Sequence, residues 1–419
     1  MSQIPTFIGI MPREISSKVN TDIIEEHIDQ ASNLYLQWTY AIQRPDYTYE
    51  KITELKARLD ANLVGMCIGN EASWQYCHEM IGEGEEYIFP AVILAFKNDN
   101  IEWKKAVLKA VTSDNAEAFI HALYWLNFNV VKPFLAQLVR DKRPFYQYIA
   151  VSTYRLLRQQ LSEVDLKHLL STNIPLLKTS VIRLLGELKC YLYSKDLFSY
   201  LSHQNSEYRF WAARSLAIMG YRSEVIPVLT YFIDDHNYRR KALQILLRIC
   251  GQDKQYAFIN SLIKKSLFKE AILGIGIVGD TKYVPWLIDM MKQPELARLA
   301  GESFCSITGI ELEFSELTVD DDPDYQADKD DDDEEEEEEE EEELDEYEED
   351  LQVPSPQLVD AWWNKFSSHF TTGIRYLSGQ PINADSLLDI LQTGLQRQRI
   401  AAALELALLD SSHSYLFIA

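Results

Sequence analysis

The sequence predicts an all-α fold, an α-solenoid of about eight helical hairpins, and three observations predict it. A small residue recurs about every thirty positions inside apolar, helix-like segments: Ala91, Ala122, Ala150, Ser180, Ala213, Ala242, Ala271 and Gly301. The gaps are 31, 28, 30, 33, 29, 29 and 30 residues, and the residue four places on is mostly apolar, as at Leu126, Tyr154, Leu184, Leu246 and Ile275. Periods of this length mark repeat arrays. Two short helices and their turns fill about thirty residues at ~1.5 Å rise per residue, and a small side chain lets neighbouring backbones approach closely. Glycine follows the small residue by seven to nine positions at Gly220, Gly251, Gly279 and Gly309, where a C-cap with positive φ would turn the chain. Proline then stands fourteen residues after the small residue at Pro227 and Pro285, and eleven after it at Pro133. Those are first-turn positions of a second helix, where the missing N–H is an orphan anyway.

Helix, tight turn, helix, tight turn is the HEAT-like pattern, and it runs over residues 86–313. Before it, Ile24, Ile28, Ala31, Tyr35, Trp38 and Ile42 form one apolar stripe at steps of four and three, so residues 1–85 read as an N-terminal helical subdomain. A second helical run covers Tyr49 to Leu63, and Gly82-Glu83-Gly84-Glu85-Glu86 breaks the pattern. Residues 314–353 read as an acidic, disordered linker, and residues 354–419 as a C-terminal helical module. That module opens with Val359, Trp362, Trp363, Phe366 and Phe370 on a helical phase and continues as two helices from Ser386 to Leu409. It is too small for an independent core. Docking back onto the repeats or the N-terminal subdomain is the expectation.

The formal charge of -25 is concentrated in one place. Asp320 to Asp350 holds 24 acidic residues and one lysine, a contribution of -23, which leaves -2 for the rest of the chain. Acidity therefore describes one segment, with ten consecutive glutamates from Glu334 to Glu343, and says nothing about the fold. That segment reads as a solubilising linker, with a lure for a basic partner or an internal pseudo-ligand as the alternative. The N-terminus lacks a basic start followed by a long apolar run, and no stretch of eighteen apolar residues occurs. The five cysteines, Cys67, Cys77, Cys190, Cys250 and Cys305, have no CxxC spacing. Reduced thiols, a cytoplasmic location and no membrane association are the expectations.

Motifs that would carry chemistry give way to structural readings. Gly274-Ile275-Gly276-Ile277-Val278-Gly279 fits GxGxxG, but the pattern has meaning only after a strand, and here a helix in phase with the repeat precedes it. Asp234, Asp235 and His236 sit between repeat helices, where turn and cap chemistry explains them better than a metal. Cys77-His78 are adjacent on a helix and point in different directions. No nucleophile stands beside a base, so no catalytic, metal or cofactor residue is expected. Lys104-Lys105, Arg140 with Lys142-Arg143, Arg239-Arg240-Lys241 and Lys264-Lys265 fall near helix ends. Their placement suits dipole partners, and near-neutrality of the folded parts argues against nucleic-acid binding.

Three segments carry a resemblance: Ala300-Gly301-Glu302-Ser303-Phe304-Cys305-Ser306-Ile307-Thr308-Gly309, Gly373-Ile374-Arg375-Tyr376-Leu377, and Gln396-Arg397-Gln398-Arg399-Ile400-Ala401-Ala402-Ala403-Leu404-Glu405-Leu406-Ala407-Leu408. Together with the repeats, they resemble a family of uncharacterised proteobacterial HEAT-repeat proteins associated with type VI secretion gene clusters. The resemblance implies a non-enzymatic protein-binding scaffold, an accessory, adaptor or chaperone-like component for a secreted effector or its spike. Two alternatives stand beside it: an immunity protein that neutralises a cognate toxin, and a HEAT-like DNA-acting enzyme. Solenoid grooves are expected to be lined by second helices, which makes Tyr231, Tyr256 and Lys282 the candidate protein-binding residues. Arg397 and Arg399 join them if the C-terminal helices are exposed. Arg375 is an alternative structural partner for the acidic chain. The sequence leaves the oligomeric state open.

Overall fold

The computed structural model describes residues 20–319 and 351–409. The predicted acidic run from Glu334 to Glu343 lies outside the described residues. The fold is an all-α helical-repeat solenoid whose strands, among the described residues, amount to one short hairpin. The chain divides into two compact units. One takes 20–38 and 54–131, the other 39–53 and 132–409.

Helices α1 (Thr21–Gln43), α2 (Tyr49–Ile68) and α3 (Glu71–Met80) precede the repeats. The paired helices are α4 (Ile88–Lys97) with α5 (Ile101–Ala110), α6 (Ala116–Trp125) with α7 (Phe128–Val139), and α8 (Pro144–Leu156) with α9 (Glu163–Leu170). Next come α10 (Pro175–Glu187) with α11 (Ser194–Tyr200), α12 (Ser206–Ile218) with α13 (Val225–Tyr231), α14 (Arg239–Ile249) with α15 (Gln252–Lys264), and α16 (Phe268–Val278) with α17 (Val284–Met290). Then follow α18 (Pro294–Thr308), α19 (Pro356–Phe366), strands β1 (Tyr376–Leu377) and β2 (Gln380–Pro381), α20 (Ala384–Thr393) and α21 (Gln396–Leu409).

In the first unit the predicted stripe of α1 is buried: Ile24, Ile28, Ala31, Tyr35 and Trp38 are all nearly inaccessible. Helix α4 buries nine successive residues, Ile88 to Phe96, as a helix apolar on every side must. Tyr35 stacks on Phe89 with centroids 4.3 Å apart, and its hydroxyl meets His121 Nδ1 at 3.0 Å. Trp125 stands edge-on to Trp38 and donates its indole N–H to Asp60 at 2.6 Å, which satisfies the one polar atom of that ring.

In the second unit the first helices of successive pairs, α8, α10, α12, α14, α16 and α18, pack side by side. The periodic small residues explain how. Ala150, Ala213, Ala242 and Ala271 are fully buried, and Ser180 nearly so. Ser215 Oγ donates to the Ile182 carbonyl at 2.9 Å, and a methyl on Gly186 would lie 2.5 Å from Ser215 Cα. Ser303 Oγ donates to the Ile272 carbonyl at 3.0 Å, and a methyl on Gly276 would lie 3.0 Å from that oxygen. The helices touch backbone to side-chain stub, and larger residues would force them apart.

Gly220, Gly279 and Gly309 have φ of 96°, 70° and 74°, as C-cap glycines should. Gly251 does not: α14 and α15 are joined by two residues, and Gly251 is the N-cap of α15 with φ -70°. Pro227 and Pro285 fall in first turns, whereas Pro133 lies inside α7, because that helix starts only two residues after α6. Helix α19 packs on α17, and its Trp362 meets Phe304 of α18 edge-on at 5.6 Å. The insertion between α18 and α19 closes at its base, where Thr318 bridges Pro354 and Leu317 accepts from the Ser355 N–H at 2.7 Å.

The C-cap glycines can be tested directly. Gly279→Ala forces a side chain into positive φ and against the Tyr376 carbonyl; thermal unfolding should show a loss of at least ~1–2 kcal/mol. Gly82→Ala, which meets nothing within 4 Å, should leave the melting temperature unchanged.

Candidate protein-interaction face

The C-terminal segment docks onto the repeats of its own unit through backbone geometry first. Ser378 and Gly379 both have positive φ, 51° and 75°, which is the type I′ turn that matches strand twist in a two-residue hairpin. The turn lands on the end of α18: Ser378 N–H donates to the Ser306 carbonyl at 2.7 Å and Gly379 N–H to the Ile307 carbonyl at 3.0 Å. Tyr376 N–H donates to the Gly279 carbonyl at 2.9 Å. Carbonyls left open at the ends of two repeat helices are thereby satisfied.

Asp280, fully buried, organises the same corner. Its carboxylate accepts from the backbone N–H of Lys282 at 2.9 Å and of Gly373 at 3.1 Å, and from the Tyr256 hydroxyl. Burial, and then the hydrogen bond to Asp280, push the Tyr256 phenol well above its ordinary range. Lys282 stacks over the Tyr256 ring at 4.1 Å.

Helix α21 then runs across the first helices. Its start is held by residues 42–49: Gln396 donates to the Ile42 carbonyl at 2.8 Å, and Arg399 stacks over Tyr49 at 4.7 Å. Arg397 pairs with Glu302 of α18 at 2.5 Å. Midway, Glu405 lies between Arg248 of α14 at 3.1 Å and Arg375 at 2.5 Å. Arg375 also donates to the Val278 and Ile277 carbonyls, each at 3.0 Å, a cation at the negative end of α16. At the far end the Ala407 and Leu408 carbonyls accept from Lys189 at 3.1 Å and Arg222 at 2.5 Å. Beside α21 lies a cleft of about 780 Å³ lined by Leu273, Ile277, Glu302, Arg397, Leu404 and Glu405 among others. Burial pushes the Glu302 carboxyl up to about 7 although Arg397 pulls it down. Burial also lowers the Arg248 guanidinium to about 10, against the pull of Glu405.

The predicted binding residues scatter. Tyr231 is 62% exposed, with Arg209 stacked at 4.7 Å. Tyr256 and Lys282 belong to the Asp280 corner. Arg397 is spent on Glu302, and Arg399 is buried, donating to Leu391 and Gln396; the C-terminal helix therefore does not offer them to a partner. The face on which this chain seats its own C-terminal helix belongs to the first helices. Arg375 finds its described partners in Glu405 and α16.

The other motifs take structural roles. Gly274 and Gly276 lie within α16, with Gly279 as its left-handed cap; Gly274 faces Ile259 and Gly276 faces Ser303. Asp234 pairs with Lys265 at 2.5 Å, and Asp235 accepts from the Asn237 N–H. No cluster of metal-ligating side chains occurs among the described residues. Cys77, Cys250 and Cys305 are buried, and all five thiols are free. Several predicted basic positions carry carboxylate partners: Lys104 with Asp99, Lys105 with Glu102, Arg140 with Asp165, Arg143 with Asp141 and Arg239 with Glu270. No helix among the described residues is long and apolar enough to cross a membrane.

No family model matches the chain, and the search of curated proteins gives no match.

The Glu302 carboxyl has a consequence for pH. Its folded pKa of about 7 stands above the ordinary 4.5, so the folded state holds a proton that the unfolded chain has released. Stability should fall as pH rises from about 4.5 through 7. Urea unfolding across that range should show the decline in the wild type and a flatter profile for Glu302→Gln.

Proposed function

We propose that the protein is a non-enzymatic, cytoplasmic scaffold that binds other proteins through its repeat array. The observation that supports this reading best is α21 itself: the first-helix layer seats a helix along its length and fixes it at three places with charge, at Glu302, at Arg248 and at Lys189 with Arg222. Helix-in-groove recognition of a partner uses the same physics, and stacked repeats extend such a face from unit to unit. The resemblance to proteobacterial HEAT-repeat proteins of type VI secretion clusters suggests the partner class, a secreted effector, its adaptor or its spike. The free thiols fit a reducing compartment.

Affinity purification of the tagged protein from its native cell, followed by mass spectrometry, tests the reading. A spike, adaptor or effector in the eluate is the expected result. An eluate without any of the three would count against the secretion role. A recovered toxin whose killing is relieved by this chain would make it an immunity protein instead.

A further inference from the structure

Helix α21 buries one side and leaves another open to the cleft beside it. Its Ala402 and Leu406 join Leu377, Leu387 and Ile390 in a small buried core. Ile400 and Leu404, one turn apart on the other side of the helix, line the cleft instead, and Ile400 is 47% exposed. Leu273 and Ile277 of α16 and Tyr40 add to the apolar lining. At about 780 Å³ the cleft has the size of a small-molecule site, ~300–1,000 Å³, and such sites combine a mostly apolar wall with a few placed polar groups.

The polar group that stands out is the Glu302–Arg397 pair. It lines this cleft and also a neighbouring cavity of about 620 Å³, so it stands at the border between the two. Arg397 Nε lies 2.5 Å from Glu302, yet that N–H is buried and has no hydrogen-bond acceptor of good geometry among the described residues. The Arg397 side chain keeps 21% of its surface open. Burial pushes the Glu302 carboxyl up to about 7 against the pull of Arg397, so at neutral pH much of it is protonated and the guanidinium keeps its charge. Other charges of the cleft are matched: Glu405 lies between Arg248 and Arg375, and Arg44 meets Asp46 at 3.5 Å. Arg397 is the cation of the cleft that its own partner neutralises least. Helix α21 withholds it from a protein surface, but a ligand small enough to enter the cleft meets it from inside.

We propose that the cleft beside α21 binds a small apolar monocarboxylate of the medium-chain fatty-acid kind, its acid group held by Arg397 and its apolar body laid against Leu273, Ile277, Ile400 and Leu404. The proposal goes beyond the scaffold reading and does not depend on it. Charge complementarity selects the anion. A cationic ligand would be repelled by Arg397, and a neutral apolar one would dry the cleft around a guanidinium and give it no acceptor. A carboxylate supplies the acceptor through a charge-assisted hydrogen bond. Protonated Glu302 donates its O–H to the same acid group.

Dansyl-labelled undecanoate, whose emission rises in apolar surroundings, tests the site when titrated into the full chain. Saturable binding is expected, with decanoate displacing the probe about tenfold more effectively than decanol, which has the same chain and no charge. Arg397→Gln should weaken the probe about tenfold, the loss of one charge-assisted hydrogen bond, and Ile400→Gln on the exposed wall should weaken it as well. Glu302→Gln, which removes a rival carboxylate and keeps a donor, should bind at least as tightly as the wild type. Arg143→Gln, on an exposed arginine elsewhere, should change nothing. Absence of saturable binding would overturn the proposal. Equal displacement by decanol and decanoate would make the cleft a general apolar surface and defeat the carboxylate assignment. Unaltered affinity in Arg397→Gln, with circular dichroism showing a native fold, would defeat it too, as would an equal loss in Arg143→Gln or a loss in Glu302→Gln. If Arg397→Gln does not hold its fold, Ile400→Gln and the comparison of decanol with decanoate decide.

Discussion

Glu405 is the charge on which the first-helix face depends. Its side chain and that of Arg248 are almost wholly withdrawn from water, at 3% and 4% exposure, and dehydrating two ions costs several kcal/mol each. Attraction at 3.1 Å offsets that cost only if the remaining polar atoms are also satisfied. Several of them find partners, some in parts of the fold far apart in sequence. Arg375 supplies a second cation to Glu405 and turns its other N–H groups to the last carbonyls of α16, while Arg248 reaches Gln244 one turn back. One carboxylate thus ties α14, α16, the hairpin segment and α21 into a single arrangement. A shift of α21 by one turn would leave a buried anion facing apolar side chains, so the pair fixes register more than it adds stability.

The helix ends perform a second service. A C-cap glycine exists to turn the chain through positive φ, and lacking a Cβ it also leaves the terminal carbonyls bare. At Gly279 and Gly309 the hairpin occupies that bare backbone, and a side chain at either position would collide with Tyr376 or Ser378. The requirement is reciprocal, since a methyl on Gly379 would lie 2.6 Å from the Thr308 carbonyl. Two glycines that look like repeat punctuation therefore also form a receptor for the C-terminal segment.

This double use explains what the sequence reveals and what it hides. The thirty-residue period is legible because close helix packing permits only small residues at the contact, and each such residue sits where the period puts it. Cap glycines and first-turn prolines are legible for the same local reason. They fail at Gly251 and Pro133, where connections of two residues leave no room for a left-handed cap or a fresh first turn. The seat of α21 is not legible. Arginine and glutamate usually mark solvent, and Glu405 and Arg248 are buried because they find each other across more than 150 positions, while Arg399 is buried against Leu391, Gln396 and Tyr49. A hint was present in Ala401 to Leu409, where a lone glutamate stands among apolar residues. A helix with so little polar surface needs cover on most of its sides.

The same logic separates the two halves of the first-helix face. A repeat array keeps its backbone constant and can change only the side chains it presents. Near α16 and α18 those positions carry Leu273, Ile277 and Glu302, and a helix of the same chain lies over them. Near α10 and α12 they carry Arg183, Glu187 and Arg214, where the buried Glu187 carboxylate pairs with the Arg183 and Arg214 guanidinia. The near-neutral total of the folded parts conceals this contrast, because net charge averages over positions that act separately.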